Sequence, residues 1–468
     1  MTSLAGHSIG APGRRNLKSS AARGDRGLAA LTIGGIWTTY LRQSPAFWFT
    51  SFYLFLEYVR PQQIYTSIAF IPWGKLAIGF AFLFTLAEGR MQFRETFLWV
   101  MLTVFSLVLF ASSVGAYDPS ASFRNIDAWI IWLLAITVVA GTIRTRAELI
   151  LTFTLWCLWN FKMSQSAFRS WLADGFAFRD WGASGAPGWF SNSGEFGIEM
   201  CVFFPIVGYL LIGLWPNLSK SRRILLAIAA LSAVIGAVAS SSRGAVLGLA
   251  AIGLWMLLRS PQRVKAGLVV IVLSGLVWIA LPAENKKRWS EAGDDKTSTL
   301  RIQYWKDGIT IANQYPALGI GYKNWMPYYT THYNSAGQMP HNVFIECVAE
   351  LGYAGLVSFV MLIGGVFWQN AQTRRLTGKQ ARAPDRVAYY LAYGLDGGLV
   401  GFLASGFFIT VLYYPYFWMT LAMTMALSRY AHTLGAPART RPRRALVGAP
   451  VGAPVGATAQ RAPERGMA

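Results

Sequence analysis

Charged residues are scarce in this chain, which indicates where it resides. Only 13% of its 468 residues are Asp, Glu, Lys or Arg, against about 25% in an ordinary soluble domain. Hydrophobic residues make up 54%, and they form repeated apolar runs of about 20 residues. A soluble enzyme and a disordered chain are therefore excluded, and the composition predicts a polytopic membrane protein.

Cysteine and the motifs of soluble enzymes are also sparse or missing. The three cysteines, Cys157, Cys201 and Cys347, lie far apart inside apolar stretches, which excludes a disulfide scaffold and favours buried, inert thiols. The chain has no Walker A sequence, HExxH or CxxC, and Asp294-Asp295 is not a DxD motif. No cluster has metal-ligand spacing, so we expect neither a metal nor a cofactor.

The apolar runs predict an all-α integral membrane protein with about 12 transmembrane helices. We place the spans at 45–59, 66–87, 96–115, 126–142, 148–163, 194–214, 223–240, 245–258, 266–282, 342–368, 387–409 and 412–430.

Basic residues set the predicted orientation. The formal net charge is +21, which by itself could indicate nucleic-acid binding. However, Lys and Arg are concentrated in one set of alternate loops and at both termini, and such an excess is typical of the cytoplasmic side of a membrane protein. Both termini are therefore predicted to be cytoplasmic, and no nucleic-acid partner is expected. The predicted regions are a basic N-terminal segment 1–44, membrane helices 45–282 with a periplasmic loop near 164–193, a large periplasmic loop 283–341, membrane helices 342–430, and a disordered basic tail 431–468.

Several basic residues lie on the opposite, outer face against that bias. Scattered lysines such as Lys286, Lys287 and Lys296 suit a solvated loop. Arg243 and Arg301 differ because they lie close to a membrane span, and the planar guanidinium suits bidentate phosphate binding. We interpret these two arginines as candidate anion ligands.

One histidine and several carboxylates follow the same outer face. His341 is predicted at the start of a helix, where the helix dipole disfavours a cation and a neutral imidazole can act as a base. Asn342, Glu346 and Glu350 share a face of that helix, and Glu195 and Glu199 are one turn apart on another. A structural alternative stays open, in which His341 caps the helix and each carboxylate pairs with a buried arginine.

Four motifs together resemble the O-antigen ligase and polymerase superfamily. They are Ser242-Arg243-Gly244-Ala245, Arg301 to Trp305, Pro316 to Gly321, and His341 to Gly352. The N-terminal string YLFLEYVRPQQIY with IPWGK resembles a branch called exosortase-associated O-glycosylation ligases. The core of the resemblance covers residues 190–352, and the span pattern extends it to about 45–430.

The resemblance implies a metal-independent glycosyltransferase with the GT-C-like architecture of lipid-sugar enzymes, in the bacterial inner membrane. Its donor would be a glycan on undecaprenyl diphosphate, used at the periplasmic face, as in lipopolysaccharide biosynthesis. By correspondence of motifs, Arg243 and Arg301 would bind the diphosphate and His341 would be the essential histidine.

The acceptor stays open, as does the choice between two related reactions. A ligase would use a hydroxyl of lipid A-core or of a protein, and a polymerase would use another glycan. A transporter of the same lipid-linked sugar is a third hypothesis. It is disfavoured because transporters place charges near the membrane midplane and contain internal repeats, whereas the charges here cluster at one face.

Overall fold

The computed structural model describes residues 27–91, 93, 96–176, 182–259, 263–280, 296–333 and 338–435, and every regular element in these ranges is helical. The α-helices are α1 (Ile33–Tyr40), α2 (Pro45–Tyr58), α3 (Pro61–Ile64), α4 (Trp73–Ala87), α5 (Thr96–Val114), α6 (Pro119–Thr142), α7 (Arg146–Ala173), α8 (Ser193–Leu214), α9 (Lys220–Ala239), α10 (Arg243–Arg259), α11 (Arg263–Ala280), α12 (Lys296–Gln314), α13 (Trp325–His332), α14 (Val343–Thr377), α15 (Arg386–Gly406) and α16 (Pro415–Gly435).

Each of the twelve predicted spans coincides with one of these helices. In the described part of the chain, six helical segments are long and apolar enough to cross a bilayer: Thr96–Val114, Pro119–Thr142, Ser193–Asn217, Lys220–Ala239, Val343–Thr377 and Arg386–Gly406. The protein is therefore a polytopic helical membrane protein. That all twelve helices cross the membrane stays a prediction.

The predicted boundaries differ from the observed ones at several helices, and three of these differences change the predicted outer loops. Helix α7 continues to Ala173, so it occupies the first part of the predicted loop 164–193. The span predicted at 66–87 begins only at Trp73, directly after Pro72. The loop predicted at 283–341 contains the two helices α12 and α13. Residues 1–26, 283–295 and 436–468, with Lys286 and Lys287 among them, lie outside the described residues.

Small residues allow α8 and α15 to pack closely in the middle of the bundle. A Cβ atom at Gly398 would lie 3.1 Å from the carbonyl oxygen of Val202, and one at Gly401 would lie 3.1 Å from that of Cys201. Such close approach of backbones is typical of membrane helices, which associate by packing rather than by exclusion of water. The pair forms a rigid support for the loops at its ends.

Contacts between loops follow the predicted alternation. At the end predicted to be cytoplasmic, Arg90 Nη1 donates to Glu148 Oε1 at 2.8 Å and Arg146 Nε donates to Asp385 Oδ2 at 3.1 Å. At the other end, the backbone N–H of Ala183 donates to the carbonyl of Ala239 at 2.9 Å, and the N–H of Tyr117 donates to that of Ile320 at 2.8 Å. The outer candidate residues therefore belong to one end of the bundle.

Candidate functional site

Helix α12 brings Arg301 and Trp305 to the same face, one turn apart. The indole Nε1–H of Trp305 donates to the carbonyl oxygen of Pro340 at 2.9 Å, and its ring packs against Phe407 with centroids 5.2 Å apart. These contacts fix α12 against the residue that precedes His341. The R-x-x-x-W spacing thus positions an arginine beside the predicted base.

His341 precedes its helix instead of starting it. Helix α14 begins at Val343, and Asn342 is its N-cap: the Asn342 Oδ1 accepts from the N–H groups of Phe344 and Ile345 at 2.8 and 3.2 Å. The prediction of a helix start at residue 341 is therefore corrected by two residues, because the amide side chain of Asn342 satisfies the free N–H groups. The capping role considered for His341 belongs to its neighbour.

The backbone of His341 is held in an unusual conformation. Its φ is 48°, in the left-handed region that residues with a Cβ seldom occupy. Its N–H donates to Thr410 Oγ1 at 2.8 Å, so the loop before α16 helps to hold this geometry. Strain of this kind concentrates at functional sites.

The protonation of His341 is shaped by its surroundings. Burial and, to a smaller extent, the positive charge of Arg301 together lower the pKa of its imidazole to about 4. The ring is therefore neutral at pH 7. The sequence predicts a neutral imidazole from the helix dipole, whereas the structure attributes it to burial and to Arg301.

Arg243 is the first residue of α10 and lies near the end of α15. A Cβ atom at the next residue, Gly244, would be 3.2 Å from the Ser405 carbonyl and 3.5 Å from Phe408 Cβ. The Phe408 ring in turn lies 6.2 Å from that of Trp305. A short aromatic bridge of Phe408 and Trp305 therefore links the segments that hold Arg243 and Arg301.

Glu350 is bound by neighbouring loops. Its carboxylate accepts from the N–H groups of Lys323 and Trp325, both at 3.1 Å, and from the Tyr413 hydroxyl at 2.8 Å. The buried arginine that the sequence analysis considered as its partner is not among these contacts, which come from backbone amides and a phenol. Glu350 thus ties the segment between α12 and α13 to the loop before α16.

Glu346 makes a related but smaller contact. Its Oε2 accepts from the N–H of Leu412 at 3.0 Å, again in place of the arginine considered from the sequence. Lys323 is close enough to attract both this carboxylate and that of Glu350. Both carboxylates therefore hold the outer loops together.

Glu195 and Glu199 lie on the first two turns of α8. The Glu195 side chain forms a hydrogen bond with the Tyr414 hydroxyl. This hydroxyl also interacts electrostatically with the carboxylate of Glu346. Glu199 is fully buried beside Asn160, deeper in the bundle. The structure thus connects Glu195 to the loop before α16 and leaves Glu199 among the helices.

Arg60 is a neighbouring outer residue that the sequence analysis did not single out. It has φ 53°, donates to Glu57 Oε2 at 3.2 Å, and lies over the Trp189 ring at 5.3 Å. The Trp189 indole N–H also donates to Glu57 Oε2, at 2.9 Å. The available signal was an arginine directly before Pro61, on the face where basic residues are unexpected.

Lys323 is a second residue missed from the sequence. It adopts φ 59°, and its Nζ lies 4.4 Å from the centroid of the Tyr413 ring. It follows the G-x-G turn of Gly319 and Gly321, which the sequence analysis included in a family motif. A lysine at this position adds positive charge to the end of the bundle that holds the arginines.

The fold and this site define a class: a polytopic helical membrane protein with arginines and a neutral histidine gathered at one end. Residues 227–360 match the family model described as O-Antigen ligase. This region contains Arg243, Arg301 and His341, together with the segment from Asn342 to Glu350 at the start of α14. The match confirms the resemblance to the O-antigen ligase superfamily.

A curated relative agrees with that family. The chain is 31% identical over 110 residues to the exopolysaccharide production protein ExoQ of Rhizobium meliloti (strain 1021). The matched region is 21% of this chain and 24% of the relative. The chain thus spans about a quarter of the length of that relative.

Proposed function

We propose that the protein is a GT-C-like glycosyltransferase that moves a glycan from undecaprenyl diphosphate to an acceptor hydroxyl, at the periplasmic face of the bacterial inner membrane. The observation that carries this proposal is the half-buried His341, whose imidazole is neutral at pH 7 and lies within electrostatic reach of Arg301. A base and a phosphate-binding cation in one place are what such a transfer needs.

The transfer is a displacement at the anomeric carbon of the first sugar. The unprotonated ring nitrogen of His341 accepts the proton of the acceptor hydroxyl, and the oxygen forms a bond to the anomeric carbon. The bond from that carbon to the diphosphate oxygen breaks, and undecaprenyl diphosphate leaves with the electron pair. Arg243 and Arg301 stabilise the negative charge on the leaving group by paired hydrogen bonds.

The two arginines provide the positive charge that a leaving diphosphate requires, so the proposed reaction needs no divalent metal. Their guanidinium groups are permanently charged and match the phosphate geometry. The remaining candidates have supporting roles: Asn342 caps α14, and Glu346 and Glu350 bind the surrounding loops.

The acceptor separates two forms of the proposal. A ligase would transfer the glycan to lipid A-core or to a protein hydroxyl, whereas a polymerase would transfer it to another glycan. The relative is named an exopolysaccharide production protein, and this name supports keeping the polymerase as the alternative to the ligase. Offering each acceptor separately to the reconstituted protein distinguishes these forms.

The test is reconstitution of the purified protein with a lipid-linked glycan, with and without a chelator. We expect transfer in the presence of the chelator, and strict dependence on added magnesium would contradict the proposed chemistry. Arg243→Lys and Arg301→Lys should each lose most of the activity, because lysine has no planar fork. Arg382→Lys, in the exposed connection between α14 and α15, is the matched control and should keep normal turnover.

A further inference from the structure

A basic cavity lies at the end of the bundle opposite the candidate site. It has a volume of about 730 Å³ and forms where the end of α14 meets the start of α15. Four cations and two phenol rings line it: Arg374, Arg375, Lys379, Arg386, Tyr389 and Tyr390. Among the described residues that line this cavity there is no carboxylate.

Two of the arginines are fixed in place by the surrounding helices. Arg374 Nη1 donates to Asp396 Oδ2 at 2.5 Å, and its guanidinium lies over the Tyr393 ring at 4.5 Å. Arg386 donates from Nε and Nη2 to the carbonyl of Ile212 at 3.2 and 3.0 Å. Neither side chain has to be ordered again when an anion binds, which lowers the cost of binding.

The nearby acids leave the cavity positive. Asp396 neutralises Arg374, and Asp385 is engaged by Arg146 and by the Tyr430 hydroxyl while it caps α15. Three cations, Arg375, Lys379 and Arg386, remain without a carboxylate partner among the ion pairs of the described residues. An anion in the cavity would therefore meet a net positive field.

The cavity also lies at the right depth for a lipid headgroup. Both α14 and α15 are candidate membrane spans, so their connection emerges at the membrane surface. The part of α14 after the kink at Gly352 is about 37 Å long at 1.5 Å per residue, which exceeds a hydrocarbon core of about 30 Å. Its last turn, with Arg374 and Arg375, reaches the phosphate layer.

We propose that this cavity binds the phosphate of an anionic phospholipid headgroup. The guanidinium groups bind the phosphate oxygens, and Lys379 adds a point charge. The two tyrosine hydroxyls are suited to the polar headgroup, and the acyl chains extend along the apolar faces of α14 and α15. Basic pockets between membrane helices recognise lipids by this chemistry.

A different explanation is that these cations only orient the chain in the membrane, as basic loops generally do. The two explanations differ in which cations matter. Orientation depends on the total charge of the connection, whereas headgroup binding depends on the cations that line the cavity. Arg382 lies in the same connection, is exposed, and does not line the cavity, so it is the matched control.

The experiment measures binding of phosphatidylglycerol to the purified full chain in detergent micelles, with phosphatidylcholine and inorganic phosphate as parallel probes. The wild type should bind phosphatidylglycerol and not phosphatidylcholine. The double variant Arg375→Gln/Lys379→Gln should bind it about 30-fold more weakly, while Arg382→Gln should bind normally. Size-exclusion profiles check that every variant is folded.

Three outcomes would overturn the proposal. Equal weakening in Arg382→Gln would reduce the effect to general charge. Equal binding of the two lipids would show that the net negative charge of the headgroup is not recognised, and the cavity would then not select an anionic lipid. Inorganic phosphate that displaces the lipid completely at low concentration would assign the cavity to a soluble phosphate compound. None of these results depends on the glycosyltransferase proposal, because transfer is not measured.

Discussion

Trp305 donates its indole N–H to the carbonyl oxygen of Pro340 at 2.9 Å, and this bond joins α12 to the residue before His341. Arg301 lies one turn before Trp305 on the same helix. The position of the arginine relative to the histidine therefore depends on a hydrogen bond made by a third residue. In the R-x-x-x-W motif, the tryptophan therefore positions the helix that carries the arginine.

Trp305→Phe should lower turnover by about 10- to 100-fold, because small misplacement of reacting groups has effects of that size. The substitution keeps an aromatic ring against Phe407 but removes the indole N–H and part of the ring, and the lost hydrogen bond alone stabilises the fold by about 1 kcal/mol. The measurement is turnover per folded protein. Trp368→Phe is the control, since Trp368 is exposed on α14, and a similar loss there would contradict the positioning role.

The pH dependence of transfer should report the pKa of His341. Because that pKa is about 4, kcat/KM should stay level from pH 8 to about pH 5 and decline below about pH 4, when the base becomes protonated. Arg301→Gln removes a positive charge, so the pKa of His341 should rise. As the pH is lowered, the residual activity of this variant should therefore begin to decline at a higher pH than that of the wild type. If the activity of the wild type instead declined below about pH 6.5, the lowered pKa of His341 would be contradicted.

The same pKa has a consequence for stability. The folded state holds His341 at a pKa below the ordinary value of 6.5, so the unfolded chain binds more protons between about pH 6.5 and pH 4. This contribution therefore lowers stability as the pH falls through that window. In His341→Asn it should be absent, which thermal denaturation at pH 5 and pH 8 would measure.

Glu350→Gln should reduce stability more than chemistry. The carboxylate accepts three hydrogen bonds, and an amide NH₂ in its place would face at least one N–H donor. The cost of an unsatisfied buried donor is about 1–3 kcal/mol. Thermal denaturation should show this loss, with a smaller one in Glu346→Gln, whose single partner an amide oxygen can keep. A Glu350→Gln variant of normal stability without turnover would instead assign Glu350 to the reaction.

The transmembrane helices were readily predictable because each is a long apolar run, and hydropathy alone marks such runs. Helices α12 and α13 were not, since they are short or polar and lie outside the apolar pattern. A signal was nonetheless present: Tyr304, Gly308 and Ile311 recur at helical spacing, and Tyr304 and Ile311 are buried.

The sequence predicts which residues are candidates for the site, but it does not predict most of the contacts that these residues make. Arg301 lies close enough to His341 to lower the pKa of its imidazole, and the roles that the motifs imply for these two residues stay predictions. The partners of Glu350 are mainly backbone N–H groups, which have no signature in a sequence because every residue except proline carries one. The position of Arg60 likewise depends on Trp189, 129 residues away in sequence, a distance over which local patterns give no information.

Gly188→Ala should strain the contact between the loop before α8 and the end of α2. Gly188 has φ 83°, and an added Cβ would lie 2.0 Å from Arg60 Nη1. The variant should therefore be destabilised both by its backbone and by a collision with Arg60.

Thermal denaturation of Gly188→Ala, Arg60→Ala and the double variant separates these effects, because removing the Arg60 side chain relieves only the collision. We expect the loss of stability in the double variant to be smaller than the sum of the losses in the two single variants. Gly208→Ala is the control, since a Cβ there meets nothing within 4 Å and alanine favours a helix; strict additivity at Gly188 would show that Arg60 moves away freely.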